Sequence, residues 1–229
     1  MTTFINIRTP IKIMFSNAFL DYGKLIMNYD FNSNTLLRAH KLALEHINGK
    51  SKKKVTLEQL SRAHNIEIQC YLLDRKETQR EKTLRNMVLD ILWDLEVDEE
   101  ALASEVTKIY QENDHDVSLM PTTMESIPEL RNMAKLGIIS NLPHDSIKYE
   151  LDRYGLGDTF DSIVLSCEVG YRKPHPAIYR EALKRTGISP IQGVFFSHDQ
   201  EEVDGALAVG MQGYLAKDLC EVLTKLKTS

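Results

Sequence analysis

Apolar positions along this chain change their period as the chain proceeds. Between residues 34 and 113 they recur every three or four positions. NTLLRAHKLALEHI (34–47), TLEQLSRAHNIEIQCYLL (56–73), a stretch from about Glu77 to Leu95 that carries Trp93, and DEEALASEVTKIYQEN (98–113) each present one apolar stripe, which predicts four amphipathic helices. Asn34 is a candidate cap for the first. Thr56 and Gln59 stand at capping-box spacing, and the fourth opens on acids, as the helix dipole prefers. On either side the apolar runs are short and β-rich: IKIMF (11–15), LGIIS (136–140), SIVLS (162–166), GVFFS (193–197) and QGYLA (212–216). Helical stretches separate the last four of these. Strands alternating with helices predict an α/β fold with a doubly wound parallel sheet. The helical block falls after the first strand, so the expected division is 1–23 and 117–229 as core and 24–116 as an inserted helical unit.

Composition narrows the function classes more than it names one. The chain has 229 residues and a formal net charge of -5, which argues against a nucleic-acid binder with a basic face. KSKKK (50–54) is the one basic run and reads as a solvated interhelical turn. Cys70, Cys167 and Cys220 are odd in number and lack C-x-x-C spacing, which fits neither a disulfide framework nor a zinc site. MTTFINIRTP lacks the apolar stretch of a secretory signal, and no run approaches the ~20 apolar residues of a membrane helix. The expectation is a cytoplasmic protein without membrane or nucleic-acid partners.

Polar residues recur where predicted strands end. Ser16-Asn17 follows IKIMF, Ser140-Asn141 ends LGIIS, Arg172-Lys173 lies beyond SIVLS, and His198-Asp199-Gln200-Glu201-Glu202 follows GVFFS. In open parallel sheets the working crevice lies beyond the carboxyl ends of the strands. In GYRKPHPAIY (170–179), Pro174 and Pro176 hold the residues before them extended and open a helix. That places Lys173 at a helix N-terminus, where an anion is favoured. The same stretch also reads as a solvated basic loop, and His144 and His175 read as solvated loop histidines.

Four motifs, IKIMFSNAFLD, LGIISNLP, GYRKPHPAIY and FFSHDQEEVDGALAVGM, together resemble the haloacid dehalogenase-like superfamily, closest in style to its 2-haloacid dehalogenase branch. The resemblance covers nearly the whole chain and implies a Rossmann-like core with the helical unit as a cap. It implies that Ser140, with Asn141 behind it, and Lys173 are the family's hydroxyl and lysine positions. It also gives Tyr179 a substrate or structural role. Asp199 and Glu202 become weak candidates for a cation, Mg²⁺ in phosphatase branches, and the ligand implied is a small anion.

The first motif departs from that pattern. The family places a nucleophilic aspartate directly after the first strand, in D-x-D-G-T or D-A-[FY]-G-T. A strand over 11–15 aligned without a gap puts Asn17 there, and a shift of one puts Ser16 there. Asn17 has the shape of the nucleophile without its charge. Asp21 as a displaced nucleophile requires a rebuilt loop, and a Ser16–His198 pair lacks a third orienting group. Lys173 then reads as the partner of Asp199 or Glu202 in a structural ion pair, and Ser140 and Asn141 either cap the following turn or bind phosphate. The favoured expectation is a catalytically degraded member, a pseudoenzyme acting on a small anion or a protein partner by binding or regulation. The alternative is an active phosphatase or dehalogenase with an atypical first motif.

Overall fold

The computed structural model describes residues 15–97 and 100–228. Its centre is the short strand β1 (Asn17–Leu20), in parallel register with β4 (Lys135–Ser140) on one side and β6 (Gly193–Ser197) on the other. β5 (Ser162–Leu165), followed by the short helix α7 (Ser166–Val169), and β7 (Gln212–Leu215) complete a five-stranded parallel sheet of order β5-β4-β1-β6-β7. Side chains alternate across it, as the two-residue period of a strand requires. Ala18 and Leu20 join one apolar cluster with residues of α5 (Thr123–Met133), α6 (Ile147–Arg153) and α10 (Leu219–Thr228). Phe19 joins the opposite cluster with residues of α8 (Pro176–Thr186) and α9 (Gln200–Ala208). Helices therefore cover both faces, which is the predicted doubly wound sheet.

The first strand is the main difference from the sequence reading. Residues 11–14 of the expected strand IKIMF lie outside the described residues, and the strand in the central position is NAFL. Its four residues are all buried. Propensity points to IKIMF because it is richer in β-branched residues. Pairing with β4 and β6 decides instead, because strand preference reflects packing context more than composition.

After β1 the chain makes an antiparallel ribbon of β2 (Met27–Asp30) and β3 (Asp116–Leu119), absent from the sequence reading because each strand is only four residues long. The ribbon brackets α1 (Ser33–Lys50), α2 (Leu57–Thr78), α3 (Leu84–Asp94) and α4 (Glu100–Asn113). Ala39, Ile47, Leu60, Val88, Leu92, Leu102 and Val106 give these helices an apolar cluster of their own. The Thr56/Gln59 capping box forms, whereas the first helix is capped by Asn32 with Thr35 and not by Asn34. The third helix starts later than its periodicity suggests, because α2 runs on to Thr78 and Thr83 caps α3. Within the basic run, Lys50 and Lys53 pair with Glu105 and Glu96. No helix among the described residues is long and apolar enough to cross a membrane.

One glycine ties two sequence motifs together. A Cβ on Gly205 in α9 would lie 2.6 Å from the Pro174 carbonyl oxygen and 2.9 Å from the Tyr179 ring. Only hydrogen lets α9 approach the turn that carries Lys173. Gly205→Ala is expected to lower the denaturation midpoint by the equivalent of about 1–3 kcal/mol, the usual penalty for overpacking. An unchanged midpoint would show that the two segments separate freely.

Candidate active site

The backbone N–H of Asp21 still donates to Phe196 O at 2.9 Å, so Asp21 continues the line of β1. The chain then turns sharply, with Ile26 and Met27 N–H groups both donating to Tyr22 O. Asp21 therefore stands at the carboxyl end of the central strand. Its Oδ1 accepts from Lys173 Nζ at 2.5 Å, and its Oδ2 lies 3.0 Å from His198 Nδ1. Lys173 Nζ also lies 2.9 Å from Glu202 Oε2. The same Glu202 oxygen accepts from Ser197 Oγ at 2.7 Å, and Oε1 accepts from Asn141 Nδ2 at 3.1 Å. Asn141 Oδ1 in turn accepts the Lys173 N–H at 2.7 Å.

The Lys173 side chain is fully buried and that of Asp21 is 6% exposed, so their charges must be balanced locally. Burial alone would raise the Asp21 carboxyl, but Lys173 and then His198 outweigh it and hold it below the usual carboxylate range. Burial alone would lower the Lys173 ammonium, yet Asp21 and Glu202 outweigh it and raise it. The result is an ionised carboxylate kept dry and oriented at the end of the sheet.

Ser16 and Asn17 are at the opposite end of β1. Ser16 Oγ donates to Asn17 Oδ1 at 2.9 Å, and the strand rise puts Asn17 roughly 13 Å from Asp21. Neither residue occupies the strand-end position assigned to it from the sequence, and Ser16 forms no pair with His198. The physical reason is the strand's register: with β1 over 17–20, the residue that leaves it is Asp21. In this register Asp21-Tyr22-Gly23 resembles D-A-[FY]-G-T with one residue fewer. That was the available signal. Gly23 then stands where D-x-D-G-T carries its second acid.

Ser140 and Asn141 do meet Asp21 in one cleft, and Asn141 bonds Lys173 and Glu202 where a turn cap was the other expectation. Lys173 pairs with Glu202, as one expectation had it, and with Asp21 in place of Asp199. Tyr179 is fully buried, its hydroxyl donates to Glu202 O at 2.6 Å, and its ring packs on Phe195. It thus fixes the start of α9 and does not line the cleft. His175 caps α8 through Nδ1 and stacks on Tyr171. His144, read as a solvated loop residue, lines the cleft with Asp21 and is bonded through Nδ1 to Ser146 Oγ at 2.8 Å.

The cleft has a volume of about 370 Å³ and lies between the strand ends and the helical unit. Tyr29, Phe31, Leu142 and Pro143 give it apolar walls, and α2 contributes Tyr71 and Arg75, the latter stacked 5.4 Å over the Tyr71 ring. Arg172 locks the two sides together. Its guanidinium donates to Tyr71 Oη at 2.7 Å and to the buried Glu81 carboxylate at 2.6 Å, and Ser166 Oγ also donates to Glu81.

The donor set does not fit a Mg²⁺ ion, which keeps several waters in near-octahedral array but still needs one or two carboxylates whose oxygens are free to face it. Both Asp21 oxygens face Lys173 and His198, and Glu202 is bonded to Lys173, Ser197 and Asn141. Asp199 Oδ1 caps α9 by accepting the Glu201 N–H. Among the described residues there is no group of three His, Cys, Asp or Glu side chains placed to hold a metal.

Known proteins match both fold and sequence. A 2-haloacid dehalogenase from Pseudomonas syringae superposes with a TM-score of 0.66 at 21% identity, covering 94% of this chain and 99% of that one. The putative HAD-hydrolase YfnB from Bacillus subtilis, solved bound to magnesium, superposes with a TM-score of 0.58 at 17% identity over 93% and 99%. In sequence, glyceraldehyde 3-phosphate phosphatase from Methanothermobacter thermautotrophicus is 35% identical over 97 residues, or 42% of this chain. That match spans 43% of the relative, less than half its length. A family profile described as Haloacid dehalogenase-like hydrolase matches residues 34–216. That span begins beyond the Asp21 turn, covers most of the chain and agrees with the superpositions: the chain belongs to the haloacid dehalogenase-like hydrolase family.

Proposed function

We propose that the chain is an active hydrolase of small organic anions, in which Asp21 is the nucleophile and no metal ion takes part. The observation that carries this reading is the Asp21 carboxylate itself, ionised between Lys173 and His198 at the floor of the cleft. One carboxylate oxygen attacks the carbon bearing the leaving group, a C–O ester bond forms, and the bond to the leaving group breaks with its electron pair leaving as halide. Water then hydrolyses the ester and regenerates Asp21. The apolar walls exclude competing water from the first step, and Arg75 supplies positive charge for a substrate carboxylate. Lys173 and Glu202 hold the nucleophile in place. Such displacement at carbon needs neither a second acid at position 23 nor a dication.

Phosphate-ester hydrolysis is the second reading, favoured by the similarity to a phosphatase. It calls for neutralisation of phosphoryl charge, for which the cleft offers Arg75 and, against Asp21, Lys173 and His198. Assays of 2-chloropropionate and p-nitrophenyl phosphate, each with Mg²⁺ or with EDTA, separate the two. Halide release unchanged within about twofold by EDTA is expected. Phosphate release that requires Mg²⁺ would replace the first reading with the second. No release from either compound would return the chain to a binding or regulatory role.

A further inference from the structure

The unanswered step in this chemistry is activation of the water that attacks the Asp21 ester. Gly23 offers no side chain for it. A buried polar chain that reaches the cleft through Tyr29 and His144 does. Glu150 is 3% exposed and accepts hydrogen bonds from Tyr22 Oη at 3.0 Å, from Tyr29 Oη at 2.5 Å and from Ser146 Oγ. Three donors onto one carboxylate match an ionised acceptor. Burial, with Glu150 adding to it, raises both tyrosines, so each stays a protonated donor.

The Ser146 hydroxyl has one proton, and it is directed to Glu150. Ser146 Oγ can then only accept from His144 Nδ1, 2.8 Å away. This inventory assigns the proton of the neutral ring to Nδ1 and leaves Nε2 with a free lone pair. His144 lines the same cleft as Asp21, and Tyr22, at the start of the chain, is the residue next to Asp21.

We propose that His144 is the general base of the second step, oriented through Ser146 by Glu150; this rests on the reading of Asp21 as nucleophile. Water attacks Asp21 Cγ while His144 Nε2 takes its proton. The tetrahedral carbon then expels the product oxygen, which regains the proton from the imidazolium. The product leaves as an alcohol with an oxygen from Asp21, and the water oxygen remains in the carboxylate. Burial holds His144 below the usual histidine range against the raising pull of Glu150, which keeps the ring neutral and able to accept. The fixed Nδ1–H follows the orienting logic of histidine bases in other hydrolases, with a serine between the imidazole and the acid.

The test is rapid mixing with 2-chloropropionate, followed by intact-protein mass spectrometry and halide assay, on wild type, His144→Phe and Ser146→Ala. His144→Phe keeps a ring against His115, which stacks 6.2 Å away, but has no base. It is expected to release one equivalent of halide at the wild-type rate, accumulate the covalent adduct, and lose about 10²–10⁴-fold in steady-state turnover. Ser146→Ala keeps the imidazole and is expected to slow only adduct breakdown, by about tenfold. Wild-type turnover in both variants, or loss of turnover without adduct in a folded Ser146→Ala, would overturn the proposal. Turnover by wild type with no adduct in any form, and turnover surviving Asp21→Asn, would instead overturn the nucleophile and take the base with it.

Discussion

Asp21→Asn is expected to fold and to lose turnover by a factor of about 10³ or more, the scale seen when a covalent nucleophile is removed. The substitution conserves shape and removes only the charge. Lys173 keeps its second partner, Glu202, so the site is not left with an unpaired cation. Its carbonyl oxygen can still accept from Lys173 Nζ, and the packing of Leu20 and Tyr22 on either side is untouched. Activity measured beside a melting curve separates chemistry from folding. Asn17→Asp in the Asp21→Asn background is expected to restore nothing, because a carboxylate there lies at the far end of β1. Recovery by that double variant would mean that the functional strand end is Asn17 after all.

Lys173→Met has the second largest expected effect, on stability as well as turnover. It leaves the Asp21 and Glu202 carboxylates facing each other in a buried site without their shared cation. Breaking a buried pair in this way typically costs about 3–5 kcal/mol. The pH dependence has a definite sign. Asp21 is held below its unfolded-chain value of about 3.9, so its contribution is present above that value and lost as pH falls through the folded value. Lys173 is raised above about 10.4, so its contribution is present below that value and lost as pH rises through the folded value. Urea unfolding is therefore expected to show the largest gap between wild type and Lys173→Met near neutrality, narrowing below about pH 4 as the Asp21 carboxyl protonates. A gap that widens in acid would show that the carboxylates do not depend on the lysine.

Most of the fold can be read in the sequence because its signals are redundant. Four strand runs separated by helical periodicity specify a parallel sheet whichever boundary moves by a residue, and four amphipathic stripes specify the helical block. The candidate site is less legible. Lys173, Asn141 and Ser140 follow well-formed strands and strong turn residues, so their placement follows from local pattern. Asp21 does not. Its strand, NAFL, has four residues and begins with asparagine, and it follows a run that looks more like a strand. Only pairing with β4 and β6 fixes its end, and placing that end four residues early exchanges a carboxylate for an amide. For Tyr179 the sequence leaves a substrate and a structural role open, since motif spacing cannot say which side of α8 its hydroxyl meets. His144 was invisible for a third reason. Its meaning comes from Ser146, Glu150, Tyr22 and Tyr29, and the two tyrosines reach Glu150 from more than a hundred residues earlier.

The central claim is that the Asp21 carboxylate forms and loses a covalent bond in each turnover. It is tested most directly by letting the wild-type protein turn over 2-chloropropionate in heavy-oxygen water and mapping the label by peptide mass spectrometry. Heavy oxygen is expected in the side chain of Asp21 and at none of Asn17, Glu202 or Asp199. Product that carries the label from the first turnover, with Asp21 unlabelled, would contradict it.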